Sequence, residues 1–167
     1  MNVRMSPRNG SGQLGRSSAA EGQREFNDAV ADFREAAELR PNWPDPFLGL
    51  MRTFIYGLED VDRGADALKQ AQRLGYTAGD RETAQLADGY RSRAETLART
   101  ARTLTGMAQE HEYLTRAAEA YRQAIELYSK VLSFADVPRT MRAAERGLEQ
   151  VQQRIDDLSR VSVAPWA

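Results

Sequence analysis

Residues 25–41 read EFNDAVADFREAAELRP, and their small and aromatic residues recur at the spacing of an α-helix. If this stretch is helical, one face carries four small or aromatic residues at intervals of 3, 4 and 3, namely Phe26, Ala29, Phe33 and Ala36. Because small and aromatic side chains alternate on that face, we expect a second helix to pack closely against it. Pro41 has no backbone N–H to donate and ends the pattern. The stretch predicts an amphipathic helix over residues 21–40.

The same order of residue types recurs further along the chain. The three copies are Ala29-x3-Phe33-x2-Ala36-x4-Pro41, Gly64-x3-Leu68-x2-Ala71-x4-Tyr76 and Ala117-x3-Tyr121-x2-Ala124. Their first residues are separated by 35 and then by 53 positions. A second spacing precedes two of the copies, as Phe47-x2-Leu50-Met51-x2-Phe54 and Thr83-x2-Leu86-Ala87-x2-Tyr90. Recurrence at such intervals is typical of stacked helix–turn–helix units.

These spacings resemble the second and first helices of the tetratricopeptide repeat (TPR) over roughly residues 22–130. Met51 stands where that repeat has glycine, so the helices are expected to approach less closely there. The resemblance implies a TPR-like bacterial protein without catalytic activity, which binds a protein or peptide partner on the concave face lined by first helices. The residues of that face expected to contact the partner are Arg52, Tyr56, Asp88 and Arg91.

We expect an all-α fold, an antiparallel helix–turn–helix stack of about six helices with a long C-terminal hairpin and a closing helix. The helical domain is predicted to span residues 21–160, after a disordered leader of residues 1–20 and before a short tail of residues 161–167. Glycines at positions 10, 12, 15 and 22 disfavour a helix in the segment that would complete the first repeat. The first repeat is therefore predicted to be only half-formed.

The predicted closing helix leaves a second function open. Its apolar residues alternate at intervals of 3 and 4, as Met141, Ala144, Leu148, Val151, Ile155 and Leu158. Such a seam favours self-association, so the alternative hypothesis is a self-associating helical-bundle scaffold. If the seam instead packs within the chain, the concave face is the functional surface. We expect a monomer or a weak homodimer.

The residues that catalysis or metal binding requires are scarce. The chain has no cysteine, which excludes disulfides, thiolate nucleophiles and cysteine metal sites. Its one histidine, His111, has no second histidine four residues away, and no glycine-rich phosphate loop or nucleophile elbow is present. We expect no catalytic, metal-binding or cofactor-binding residues, and we predict that the protein is not an enzyme.

The net charge and the hydropathy of the chain disfavour two classes of partner, nucleic acids and membranes. The net charge is −1, and all but two of the 23 basic residues are arginine, since the only lysines are Lys69 and Lys130. This balance disfavours nucleic acid as a partner. No apolar run is long enough to cross a bilayer, so no membrane insertion is expected, and no secretory signal is recognisable. We expect a cytoplasmic location, or a periplasmic or anchored form if a further segment precedes residue 1.

Overall fold

The computed structural model of the chain describes the backbone of residues 11–163 and the side chains of residues 20–160. Within this range six helices follow one another: α1 (Ser11–Leu39), α2 (Asp45–Arg52), α3 (Val61–Arg73), α4 (Asp80–Thr103), α5 (Gln109–Ser129) and α6 (Val137–Val163). Helix α2 continues into a π-helical turn, Thr53–Gly57. The prediction of an all-α stack of about six helices is confirmed.

Helix α1 begins ten residues earlier than the sequence predicted. It starts at Ser11, so the prediction of a disordered leader is wrong for residues 11–20, and residues 1–10 lie outside the described range. Helix extension adds one backbone hydrogen bond per residue, and this cooperativity offsets the cost of the glycines at positions 12, 15 and 22. A single long helix therefore replaces the half-formed first repeat.

The other helix ends follow local backbone chemistry. The Asp60 side chain caps α3, since its Oδ1 accepts a hydrogen bond from the Arg63 N–H at 3.0 Å. Gly75 ends the α3 segment with φ +91°, a conformation that glycine adopts readily. Helix α5 ends at Ser129, because the following N–H groups bond to carbonyls three residues back.

The end of the chain also differs from the prediction. Helix α6 extends through Val163, so the predicted tail of residues 161–167 begins as helix, and its last four residues lie outside the described range. The apolar seam of α6 faces inward. Ala144 and Val151 are buried, whereas Met141, Leu148, Ile155 and Leu158 are half-buried against the same core.

The helices form two apolar clusters joined by α4. The first lies among α1, α2 and α3 and includes Met51, Phe54 and Leu68. The second lies among α4, α5 and α6 and is built largely from alanines packed around Tyr121 and Tyr128. Each helix packs on the next one in the chain, and α4 also contacts both the π-helical turn and α6. Helix α4 therefore contacts helical segments that are not its neighbours in the chain, the π-helical turn after α2 and α6.

Aromatic side chains of α1 pack on glycines of α2 and its π-helical turn. A Cβ added at Gly49 would lie 2.4 Å from Phe33 Cε1, and one added at Gly57 would lie 2.3 Å from Phe26 Cδ1. The looser approach predicted at Met51 has no counterpart here, because Met51 is itself buried and Gly49 provides the close contact two residues earlier. The aromatic stripe predicted in residues 25–41 thus packs on glycine.

Helix α4 meets the first cluster at Gly89. A Cβ at this position would lie 2.8 Å from Val61 Cγ2 and 3.2 Å from Ile55 Cγ2. Both neighbours are buried and branch at Cβ, so they have little freedom to move aside. Gly89 therefore sets the distance at which α4 packs on the π-helical turn and on α3.

Within the described residues, no helix combines the length and apolar character that crossing a membrane requires.

We predict that Gly89→Ala lowers the free energy of unfolding by about 1–3 kcal/mol, because the added methyl group overpacks a rigid contact. Gly22→Ala is the matched control, since Gly22 is also helical but a Cβ added there would have nothing within 4 Å. Alanine there should raise stability by up to about 1 kcal/mol through helix propensity. Urea unfolding measures both values, and equal effects of the two substitutions would contradict this packing.

Candidate binding site at the crossing of α4 with α2 and α5

The candidate site is a hydrogen-bonded cluster next to Gly89. Asp88 of α4 accepts hydrogen bonds from two phenols, Tyr56 Oη at 2.9 Å and Tyr128 Oη at 2.5 Å. Tyr56 lies in the π-helical turn that follows α2, and Tyr128 lies in the last turn of α5. One carboxylate therefore links three helical segments that are distant in sequence.

Arginine and glutamate extend the cluster along α4. Arg91 Nε donates to Tyr128 Oη at 3.3 Å, and Arg91 Nη1 donates to Glu95 Oε1 at 2.5 Å. The hydroxyl of Tyr128 thus accepts a bond from Arg91 while it donates one to Asp88. The side chains of Asp88, Arg91 and Glu95 recur at intervals of 3 and 4, so they share one face of α4.

The surroundings shift the pKa values of three side chains in this cluster. Burial is the largest cause that raises the pKa of Tyr128 to about 12; its hydrogen bond to Asp88 contributes to the increase, and Arg91 opposes it. Burial also raises the pKa of Tyr56, and the Asp88 carboxylate adds to the effect. Burial lowers the pKa of Arg91, but its bonds to Tyr128 and Glu95 outweigh this and raise it overall. Both phenols are therefore protonated at neutral pH and act as hydrogen-bond donors.

A small depression opens beside the cluster. Its volume is about 170 Å³, and it is lined by Ile55, Tyr56, Glu59, Asp88, Arg91 and Ser92. Tyr56 forms its rim and is 53% exposed, while Tyr128 is fully buried. The hydroxyl of Tyr56 donates to Asp88, so the half-exposed ring is held in a fixed orientation.

Three of the four predicted contact residues come together here. Tyr56, Asp88 and Arg91 line the same depression, but Arg52 is absent from its lining. Arg52 is exposed and lies close enough to Tyr76 to influence it, since burial and Glu82 raise the pKa of Tyr76 while Arg81 and Arg52 lower it. The predicted four-residue surface is therefore divided, with Arg52 on a neighbouring patch.

Two members of the cluster, Tyr128 and Glu95, were not among the residues predicted from the sequence. Tyr128 follows Tyr121 and Ala124 at intervals of 7 and 4, so its position on the buried stripe of α5 was visible in the sequence. A buried tyrosine hydroxyl needs a hydrogen-bond partner. Asp88 is 40 residues away and provides it, and only the antiparallel packing of α4 on α5 brings the two together.

The same face of α4 continues beyond the cluster. Steps of seven residues lead from Asp88 to Glu95 and Arg102 on α4, and from Tyr128 back to Tyr121 and Leu114 on α5. Burial raises the pKa of Tyr121, Glu95 adds to the increase, and Arg102 and Arg91 oppose it, so these groups are neighbours. A row of charged residues thus follows the α4–α5 contact towards α6.

No group of three or more histidine, aspartate or glutamate side chains suited to a metal ion occurs in the described part of the chain. Comparisons with protein-family models, with curated proteins and with solved structures found no match to this chain.

We predict that the tyrosine absorbance at 295 nm contains a component with a midpoint near pH 12 that is lost in Tyr128→Phe. Because the pKa is raised in the folded state, the stabilising contribution of Tyr128 is complete below its unfolded pKa near 10. It is lost as the pH rises towards 12. The difference in unfolding free energy between wild type and Tyr128→Phe should fall by roughly 2 kcal/mol over this range.

Tyr113→Phe is the control, because it removes a phenol from outside the cluster and should leave the high-pH component intact. If Tyr128→Phe retains the component with a midpoint near pH 12, the assignment of that pKa to Tyr128 is wrong.

Proposed function

We propose that this chain is a non-catalytic adaptor module of the TPR type, which binds a peptide or protein segment on the face where the π-helical turn, α4 and α5 meet. The observation that carries the proposal is the state of Tyr56, which is 53% exposed and bonded through its hydroxyl to Asp88. An aromatic ring fixed in this way loses little conformational entropy when a partner covers it. Such rings are common anchors in protein interfaces.

The order of helix contacts supports this proposal. Helix α4 contacts the π-helical turn that follows α2, and it also contacts α6. In the chain, α3 lies between α2 and α4, and α5 lies between α4 and α6. First helices of TPR stacks line a common face in the same alternating manner. The depression beside Tyr56 lies on this face of α4, together with the charged row that ends at Arg102.

The position of the α6 seam weighs against the scaffold hypothesis. Ala144 and Val151 are buried in the second cluster, and Leu148 and Ile155 pack against it. Since the seam is used within the chain, little of it is left for a second copy. The face around Tyr56 is consequently the better candidate for a partner surface.

We predict that peptides selected on the wild-type protein from a displayed random library lose about 30-fold in affinity for Tyr56→Ala, because a central aromatic anchor contributes about 2 kcal/mol. Fluorescence anisotropy of the labelled peptides measures the change. Met107→Ala is the matched control, since Met107 is 56% exposed and lies outside the depression. Equal binding of the selected peptides to Tyr56→Ala and wild type would refute the proposed surface.

We also expect the protein to be monomeric in solution, because the α6 seam is packed internally. Multi-angle light scattering over a hundredfold concentration range should give the mass of one chain, 18.7 kDa, throughout. A mass of twice this value at low micromolar concentration would favour the scaffold hypothesis instead.

A further inference from the structure

A second, separate cavity lies at the other end of the α4 face, among α4, α5 and α6. Its volume is about 240 Å³. Its apolar wall includes Ala98, Leu114 and Val151, and its polar groups include those of Arg102, Tyr121 and Gln150. Each of the three helices contributes one apolar and one polar residue to this set, so the cavity depends on the packing of the whole C-terminal cluster.

The hydroxyl of Tyr121 is the unusual group in this cavity. Tyr121 is only 5% exposed, yet it lines the cavity, and no hydrogen bond is among the causes of its raised pKa. Its ring packs against the backbone of α6 at Gly147, where an added Cβ would lie 2.6 Å from Oη. A ligand oxygen in the cavity can accept a hydrogen bond from this hydroxyl.

The cavity also carries an excess of positive charge. Glu110 is buried and already satisfied, since it accepts bonds from Arg154 Nε at 2.7 Å, from Arg154 Nη2 at 3.2 Å and from the Gly106 N–H at 2.8 Å. Arg102, in contrast, forms no ion pair among the residues whose side chains are described. The unpaired guanidinium and the Tyr121 hydroxyl border one space.

We infer that this cavity binds a small organic carboxylate with a ring-sized apolar body, whose charge pairs with Arg102 and whose oxygen accepts a bond from Tyr121. The volume corresponds to about eight water molecules at roughly 30 Å³ each, which suits a molecule of about ten heavy atoms. The alanine, leucine and valine wall favours an apolar body, and a single unpaired arginine matches a single negative charge. This site is distinct from the peptide surface at Tyr56 and does not depend on it.

The experiment is a titration of the ¹⁵N-labelled full chain with sodium benzoate, and with benzamide as a neutral probe of the same shape. We expect saturable shifts of the Gly106 and Gly147 amides with benzoate, and at least tenfold weaker binding of benzamide. Arg102→Gln and Tyr121→Phe should each weaken benzoate binding by about tenfold, because each removes one bond to the carboxylate.

Arg99→Gln is the matched control, since Arg99 lies on the same helix but outside the cavity lining. It should leave benzoate binding unchanged, and the amide spectrum of each variant reports whether it is folded. The inference is overturned if benzoate gives no saturable shift at these glycines, which would mean that the cavity holds water only. It is also overturned if benzamide binds as tightly as benzoate, or if Arg99→Gln weakens binding as much as Arg102→Gln.

Discussion

The structure depends on one close contact, the approach of α4 to the π-helical turn and to α3 at Gly89. A Cβ there would lie 2.8 Å from Val61 Cγ2, so only glycine allows the two apolar clusters to meet at this distance. The neighbouring residue, Asp88, is thereby placed between Tyr56 and Tyr128. The packing of the clusters and the geometry of the polar site are consequences of the same constraint.

The polar cluster in turn determines which groups the proposed binding surface exposes. Hydrogen bonds to a charged group are each worth about 1.5–3 kcal/mol, and Asp88 accepts two of them from phenols. Arg91 is also occupied, by Tyr128 and Glu95, so the charges of the cluster largely satisfy one another. What remains available is the ring of Tyr56, held in a fixed orientation. This favours recognition by shape and apolar contact over recognition by charge.

Hydrophobic periodicity was sufficient to predict the all-α stack, because each helix has one buried face. The limits of α3 follow local chemistry, because Asp60 caps its first turn and Gly75, with positive φ, follows its last turn. The predicted start of α1 was wrong, since glycine propensity alone takes no account of helix cooperativity. Arg52 was grouped with the other site residues by its position in the repeat, whereas the bond between Asp88 and Tyr128 arises from tertiary packing that spacing does not reveal.

The most direct test of this account is native-state hydrogen exchange of Gly89→Ala compared with wild type. If Gly89 joins two clusters that each have a core of their own, the added methyl group should weaken their contact. Amides of α1, α2 and α3 should then lose protection, while those of α5 and α6 keep most of theirs. An equal loss of protection in all six helices, or no loss in α1, α2 and α3, would contradict the account.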